Sequence, residues 1–137
     1  MIPRAAGTGL FLAATLVLAA GPEARARQDW DCRDLLDAAF LDEFEDLDGL
    51  LAAGTPVDCV DGEGQTALMI AAEGGSVVSV RLLLNAGAQA GRKDVFGRSA
   101  LSRALDKARR FDDPRARGLS MAYTGVIRML RRAGAAE

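Results

Sequence analysis

The chain has 137 residues, which is long enough for one domain with one hydrophobic core. Half of the residues are hydrophobic but only 5% are aromatic, so alanine and leucine must fill most of the core, and this favours closely packed helices over a β-sandwich. The formal net charge of −2 argues against a general affinity for nucleic acid or for anionic membranes.

The first 26 residues differ from the rest and predict a secretory signal peptide. Arg4 provides a short basic region, residues 9–20 form an uncharged and mostly apolar run, and residues 24–26 (ARA) offer a cleavage site. An uncleaved membrane anchor is the alternative, but the run is short for about 30 Å of hydrocarbon at ~1.5 Å per residue. We expect a cleaved signal, with Ala19 or Gly21 as other possible cleavage points, and a periplasmic or secreted protein.

The expected mature chain, residues 27–137, contains two cysteines, Cys32 and Cys59. Because an exported protein meets an oxidising compartment, this pair predicts a disulfide. Two free buried thiols are the alternative. With two cysteines and no histidine, a zinc site is not expected.

Comparison of the sequence with itself reveals a period of 33 residues, with a central copy at 61–88. Shifting forward by 33 aligns Asp61 with Asp94, Gly64 with Gly97, Thr66 with Ser99, Ala67-Leu68 with Ala100-Leu101 and Ala71 with Ala104. Shifting backward aligns Leu68 with Leu35, Ala71-Ala72 with Ala38-Ala39, Leu83-Leu84 with Leu50-Leu51 and Gly87 with Gly54. Matches in both directions indicate a repeat protein.

The central copy predicts a turn followed by two antiparallel helices. Gly64 permits the turn, and Thr66 is placed to cap the first helix. A left-handed residue at Gly75 ends that helix, Ser76 is placed to cap the second helix, and Gly87 ends it. Apolar residues recur at helical spacing in both helices: Leu68, Ala71, Ala72, Val77, Val80, Leu83 and Leu84.

The central copy resembles the ankyrin repeat. Residues 61–72 read DGEGQTALMIAA, against the family pattern D-x-x-G-x-T-P-L-H-x-A-A, and the later glycine and V-x-x-L-L-x-x-G-A pattern is also present. Ala67 replaces the usual proline and Met69 the usual histidine. The resemblance covers about residues 33–135, and it is closest to small exported ankyrin proteins of bacteria.

The resemblance implies an all-α solenoid of three helix-turn-helix units with short hairpin-like fingers. The units are expected at about 33–60, 61–93 and 94–135, the outer two acting as caps with polar outer faces. In the first unit we expect helices at 33–41 and 43–53. The last unit resumes its second-helix pattern 14 residues late, so an insertion is expected near 106–118.

No set of residues points to catalysis, a metal or a cofactor. Histidine is absent, which removes the commonest general base and any Ser-His or Cys-His arrangement. Residues 62–64 (GEG) lack the rest of a nucleotide-binding fingerprint, and the acids within 58–63 lack the spacing of a calcium loop. The acids of residues 42–48 allow a catalytic carboxylate pair, but a solvated helix surface explains them better. We therefore expect no enzyme activity.

Charge is segregated along the chain. Residues 29–48 hold nine acids and one base, and residues 92–132 hold twelve bases and four acids. Two interpretations are open: an electrostatically steered partner or an anionic lipid at the basic end, or two solvated cap surfaces that discourage end-to-end stacking of a monomer.

In the ankyrin family, partners usually contact the finger tips and the concave face of the first helices. Carried over by repeat position, this surface comprises Glu63, Gln65, Met69, Glu73, Lys93, Val95, Phe96, Arg98 and Asp106. Phe96 is either an anchor for the partner or folds back onto the connection at 106–118. The expected function is non-catalytic binding of a protein partner outside the cytoplasm.

The alternatives are an accessory or protective factor, which supports an oxidative-stress enzyme or neutralises a toxin, and a structural protein of the membrane surface. An enzyme with an unrecognised site that uses Glu63 or Glu73 is the least favoured hypothesis.

Overall fold

The computed structural model describes residues 22–111 and 114–135. The predicted signal sequence up to residue 21 and two acids of the predicted insertion, Asp112 and Asp113, lie outside the described residues. The chain divides into the units Met1–Trp30 and Asp31–Glu137. The helices are α1 (Pro22–Leu41), α2 (Phe44–Ala52), α3 (Ala67–Gly74), α4 (Val77–Asn85), α5 (Ala100–Arg110) and α6 (Arg117–Arg132), with a 3-10 turn at Pro114–Ala116.

The start of α3 confirms the predicted helix cap, as does the start of α5. The Met69 N–H donates to Thr66 Oγ1 at 3.3 Å. In α5 the equivalent Ser99 forms a reciprocal capping box with Ser102. The end of α3 also matches, since Gly75 has φ of 71°. The prediction for Ser76 was wrong: it precedes α4, but its side chain makes no capping hydrogen bond, because its ψ of 89° departs from the extended conformation of a cap.

The fingers are turns closed by single antiparallel bridges, Val60 with Thr66 and Lys93 with Ser99. In the central finger the Asp61 carboxylate accepts hydrogen bonds from the backbone N–H groups at positions 63 and 65. The Val95 N–H donates to the Glu63 carbonyl oxygen at 3.0 Å and so joins the two fingers. The described residues contain no β-strand, so the hairpin-like fingers of the prediction are shorter than expected.

The core repeats with the sequence period. Leu35, Leu68 and Leu101, which are 33 residues apart, are all buried in one cluster that also includes Leu83 and Leu130. Helix α4 packs against α2 and α3, α5 packs against α3, and α6 packs against α4 and α5. The alanines at the equivalent positions Ala38, Ala71 and Ala104 are also buried, and their small side chains allow neighbouring helices to approach closely.

The outer units differ from the predicted helix boundaries. Helix α1 is already helical at Pro22 rather than beginning at 33, and α2 spans Phe44–Ala52 rather than 43–53. In the last unit the extra residues lengthen both helices: α5 has 11 residues where α3 has 8, and α6 has 16 where α4 has 9. The predicted insertion is thus largely helical over the described residues.

Tyr123 fixes the long helix α6 to the end of α3. Its hydroxyl donates to the Glu73 carbonyl oxygen at 2.8 Å. Its ring stacks on Phe111 with a centroid separation of 5.9 Å and an interplanar angle of 8°. Burial raises the pKa of Tyr123, and the nearby Glu73 carboxylate raises it further. The aromatic that packs near the insertion is therefore Tyr123.

Cys32 on α1 and Cys59 in the loop before the central finger are joined, with a Cα–Cα distance of 5.6 Å. We expect the intact mass of the purified protein to rise by two hydrogens on reduction, and Cys32→Ser to lower the free energy of unfolding. The loss should be about 3–4 kcal/mol for a loop of this length in the chain-entropy model. An unchanged mass after reduction would contradict the pairing, and Cys32→Ser then should not alter stability beyond the error of a urea titration.

Candidate functional site

The finger of the last unit presents an apolar tip. Val95 is 68% exposed and Phe96 is 64% exposed. The Arg98 guanidinium carbon lies 5.2 Å from the centroid of the Phe96 ring, a cation–π distance. Phe96 is too exposed to be folded onto the connection at 106–118, so of the two interpretations of this residue the structure favours the anchor.

We call Glu63, Lys93, Val95, Phe96 and Arg98 the finger surface. All five residues are exposed. The surface combines an apolar tip with two bases and one acid. Asp106, the other predicted residue of the last unit, is also exposed but lies on α5.

The base of the finger is organised by Asp94, which is buried. One carboxylate oxygen accepts hydrogen bonds from the N–H groups of Phe96 and Arg98, each at 2.9 Å. The other contacts Arg98 Nε at 3.3 Å and pairs closely with the Arg103 guanidinium. Burial by itself would raise the pKa of Asp94, but these hydrogen bonds and the Arg103 charge outweigh burial and lower the pKa to about 2. The carboxylate is therefore ionised and holds the tip in one conformation.

Arg103 on α5 ties the last unit to the central one. Its guanidinium contacts Glu73 Oε2 at 2.6 Å and donates to Gln65 Oε1 at 3.0 Å, in addition to its pair with Asp94. Lys107 lies 3.5 Å from the other Glu73 oxygen. Gln65 and Glu73, which the sequence placed on the binding surface, are thus engaged inside the protein. A partner that bound them would compete with these contacts.

The structure corrects one predicted surface residue, Met69. Its side chain is only 1% exposed, together with Ala67 and Leu68 of the same turn. The whole first turn of α3 lies in the core, so repeat position alone misplaced this residue. Met69 is a core residue and is unavailable to a partner.

A second exposed apolar area lies on the first unit, where the sequence analysis predicted none. Phe40 is 76%, Leu41 60% and Phe44 47% exposed. A backbone hydrogen bond from Glu43 N–H to the Ala38 carbonyl oxygen, 3.0 Å long, closes the turn from α1 to α2 that carries them. We call Phe40, Leu41 and Phe44 the first-unit patch. The signal for it is the 33-residue shift, which places Phe40 at the position of Glu73.

Two grooves border this patch. One, of about 290 Å³, is lined by Phe40, Gln65, Ile70, Glu73, Gly74 and Lys107. The other, of about 500 Å³, lies between α1 and α2 and is lined by Asp34, Asp37, Ala38, Glu43, Glu45, Asp46, Gly49 and Leu50. We call the second one the acidic groove. Its carboxylates are exposed, and the described residues contain no group of three or more acids, cysteines or histidines suited to a metal ion.

The opposite end of the repeat region is basic. A shallow groove of about 480 Å³ on α6 is lined by Thr124, Ile127, Arg128, Arg131 and Arg132. Over the residues that the structure describes, no helix is long and apolar enough to cross a membrane.

The comparisons with known proteins agree with this architecture. Residues 50–104 match the model of ankyrin repeats (many copies). This match and the fold support assignment to the ankyrin repeat family. Over 64 residues the chain is 39% identical to the human transient receptor potential cation channel subfamily A member 1, a match that covers 47% of this chain and 6% of the channel. The human ASB11 ankyrin repeat domain superposes with a TM-score of 0.61 at 26% identity, over 74% of this chain and 40% of that one.

The chain thus spans only a small part of the channel and less than half of the ASB11 chain. Ankyrin repeats generally bind other proteins and act as non-catalytic scaffolds. The repeat surface, rather than a catalytic pocket, is therefore the candidate functional site.

Proposed function

We propose that this protein is a non-catalytic module that binds a protein partner outside the cytoplasm, with the finger surface as its main contact. The observation that carries the proposal is the exposed Val95–Phe96 tip. Aromatic side chains that are accessible in the free protein and buried in a complex supply much of the binding energy of interfaces.

The tip is also held rigidly, which favours binding. The Asp94 hydrogen bonds, the Val95 link to the central finger and the Arg98 contact with the Phe96 ring restrict its conformations before any partner arrives. Little conformational entropy is then lost on association. Lys93 and Arg98 surround the tip with positive charge, so the partner is expected to be acidic around an apolar pocket.

Action outside the cytoplasm is supported by the predicted signal peptide and by the pairing of Cys32 with Cys59, since disulfides persist in oxidising compartments. An accessory or protective role in the periplasm is the extension of this proposal. Fractionation of the native host with N-terminal sequencing tests the location, and recovery of an uncleaved chain from the cytoplasm would overturn it.

The binding proposal is tested by capture and cross-linking from the extracytoplasmic fraction of the host, with captured proteins quantified by mass spectrometry. We expect Phe96→Ala with Arg98→Glu to reduce capture of the partner about tenfold or more. Met121→Ala is the matched control, because it removes an equally exposed apolar side chain, 76% exposed, from α6. Equal capture by the finger variant and by the control would assign binding to another surface.

A further inference from the structure

We propose that the first-unit patch and the acidic groove beside it form a second docking site, which takes a basic amphipathic segment of a protein partner. This inference rests on the proposed function of protein binding. It concerns a surface at the first unit rather than the finger of the last one.

The apolar part of the site is the first-unit patch. Phe40, Leu41 and Phe44 expose two aromatic rings and a leucine within five consecutive residues, on either side of a tight turn. Contiguous exposed apolar groups of this kind mark interaction sites, whereas single ones are common on any surface. The patch continues into the neighbouring groove, where Phe40 lies with Ile70 and Gly74.

The charged part of the site surrounds this patch with carboxylates. Asp37 lies one helical turn before Phe40 on α1, and Glu43 directly precedes Phe44. Residues 32–48 contain seven acids and one base, Arg33. Such a rim attracts lysine and arginine and repels acidic partners and anionic lipid.

The fold does not require the carboxylate of Glu43. Glu43 stands at the N-cap position of α2, yet its side chain makes no capping hydrogen bond. The neighbouring Asp42, by contrast, accepts a hydrogen bond from the buried Ser79 hydroxyl at 2.9 Å. Replacing Glu43 therefore tests binding with little effect on folding.

The groove with Ile70 ends in charges that are already paired. Glu73 is held by Arg103 and Lys107, so the free negative charge lies on the side of α1 and α2. A bound segment would place its apolar side chains on Phe40 and Phe44 and its basic side chains over Asp37 and Glu43. This arrangement selects an amphipathic segment with both properties, rather than a purely basic or a purely apolar one.

The test uses a labelled synthetic helix of about four turns with leucine on one face and lysine on the other. Two companion peptides have serine in place of leucine or glutamate in place of lysine. Fluorescence anisotropy measures binding to the purified protein, whose N-terminus is established by intact mass. We expect the leucine–lysine peptide to bind about tenfold or more tightly than either companion, and its affinity to fall as salt is raised.

Variants locate the site. Phe40→Ser with Phe44→Ser should weaken binding about tenfold, and Asp37→Asn with Glu43→Gln about threefold at low salt. Met121→Ser and the pair Asp48→Asn with Asp106→Asn are the matched controls and should change affinity less than about twofold. Circular dichroism confirms that each variant is folded, as the exposure of these side chains leads us to expect.

Three results would overturn the proposal: equal binding of the lysine and glutamate peptides, insensitivity to the Phe40 and Phe44 changes, or self-association in sedimentation that these changes abolish, which would assign the patch to a second copy of the chain. The finger variant, Phe96→Ala with Arg98→Glu, separates this proposal from the proposed function. It should reduce partner capture and leave peptide binding unchanged, whereas loss of peptide binding in this variant would refute a separate site.

Discussion

Replacing Arg103 with alanine is expected to lower the free energy of unfolding by about 3–5 kcal/mol, the usual cost of removing one partner of a buried ion pair. The Arg103 side chain is only 4% exposed and its guanidinium joins Asp94 to Glu73 and Gln65. Its loss leaves the Asp94 carboxylate buried without its strongest partner, and it disconnects the last unit from the central one. Urea denaturation followed by circular dichroism measures the loss.

Arg98→Ala is the matched control, because Arg98 contacts the same Asp94 carboxylate but its side chain is 47% exposed. An exposed ion pair contributes about 0–1 kcal/mol, so the control should lose at most that amount. Arg103→Lys should fall between the two, since one ammonium cannot reach both carboxylates with the geometry of a guanidinium. Equal losses for Arg98→Ala and Arg103→Ala would show that the pair does not stabilise the fold.

The same pair predicts an acid limb in the stability of the protein. The pKa of Asp94 is lowered from 3.8 to about 2 in the folded state, so the unfolded chain binds a proton at a higher pH than the native one. This contribution to stability is complete above about pH 4 and is lost as the pH falls towards 2. Asp94→Asn should flatten this part of the stability–pH curve, and an unchanged curve would contradict the assignment.

Gly75→Ala is expected to lower the free energy of unfolding by about 2–4 kcal/mol, from two separate causes. Gly75 has a φ of +71°, which disfavours any residue with a Cβ atom. A Cβ placed there would also lie 3.1 Å from Cζ of the buried Tyr123 ring. Because Tyr123 is held by its hydrogen bond to Glu73 and by its stack on Phe111, the ring cannot move aside freely.

Gly97→Ala separates the two causes. Gly97 has nearly the same φ, +74°, but a Cβ atom there would meet nothing within 4 Å. It should lose only the backbone contribution, about 1–2 kcal/mol. Thermal and urea denaturation of both variants gives the difference directly, and equal losses would mean that the Tyr123 contact is accommodated without cost.

The local structure of the central unit follows from its sequence. The Thr66 cap, the left-handed Gly75 and the burial of Leu68, Ala71 and Ala72 all depend on residues close in the chain, so the 33-residue pattern predicts them correctly. The pairing of Cys32 with Cys59 could also be anticipated, because the chain has only two cysteines.

The binding surface was less predictable, because exposure depends on neighbouring units. Repeat position assigned Met69 to the surface, although the packing of the first turn of α3 buries it. Arg103 occupies the position of Ile70 in the repeat, and nothing local indicates that its partners are 30 and 38 residues away. Phe40 and Phe44 look like ordinary core residues of a helix pair until the fold leaves them exposed.

The sequence by itself determined the repeat, its turns and caps and the predominance of small core residues, because these features arise from backbone preferences and from spacing along one helix. The tertiary structure alone decided which charges are paired and which apolar groups remain free. Arg103 and Asp94 are buried together while the first-unit patch stays open, because burial and ion pairing depend on which side chains the stacked helices bring together.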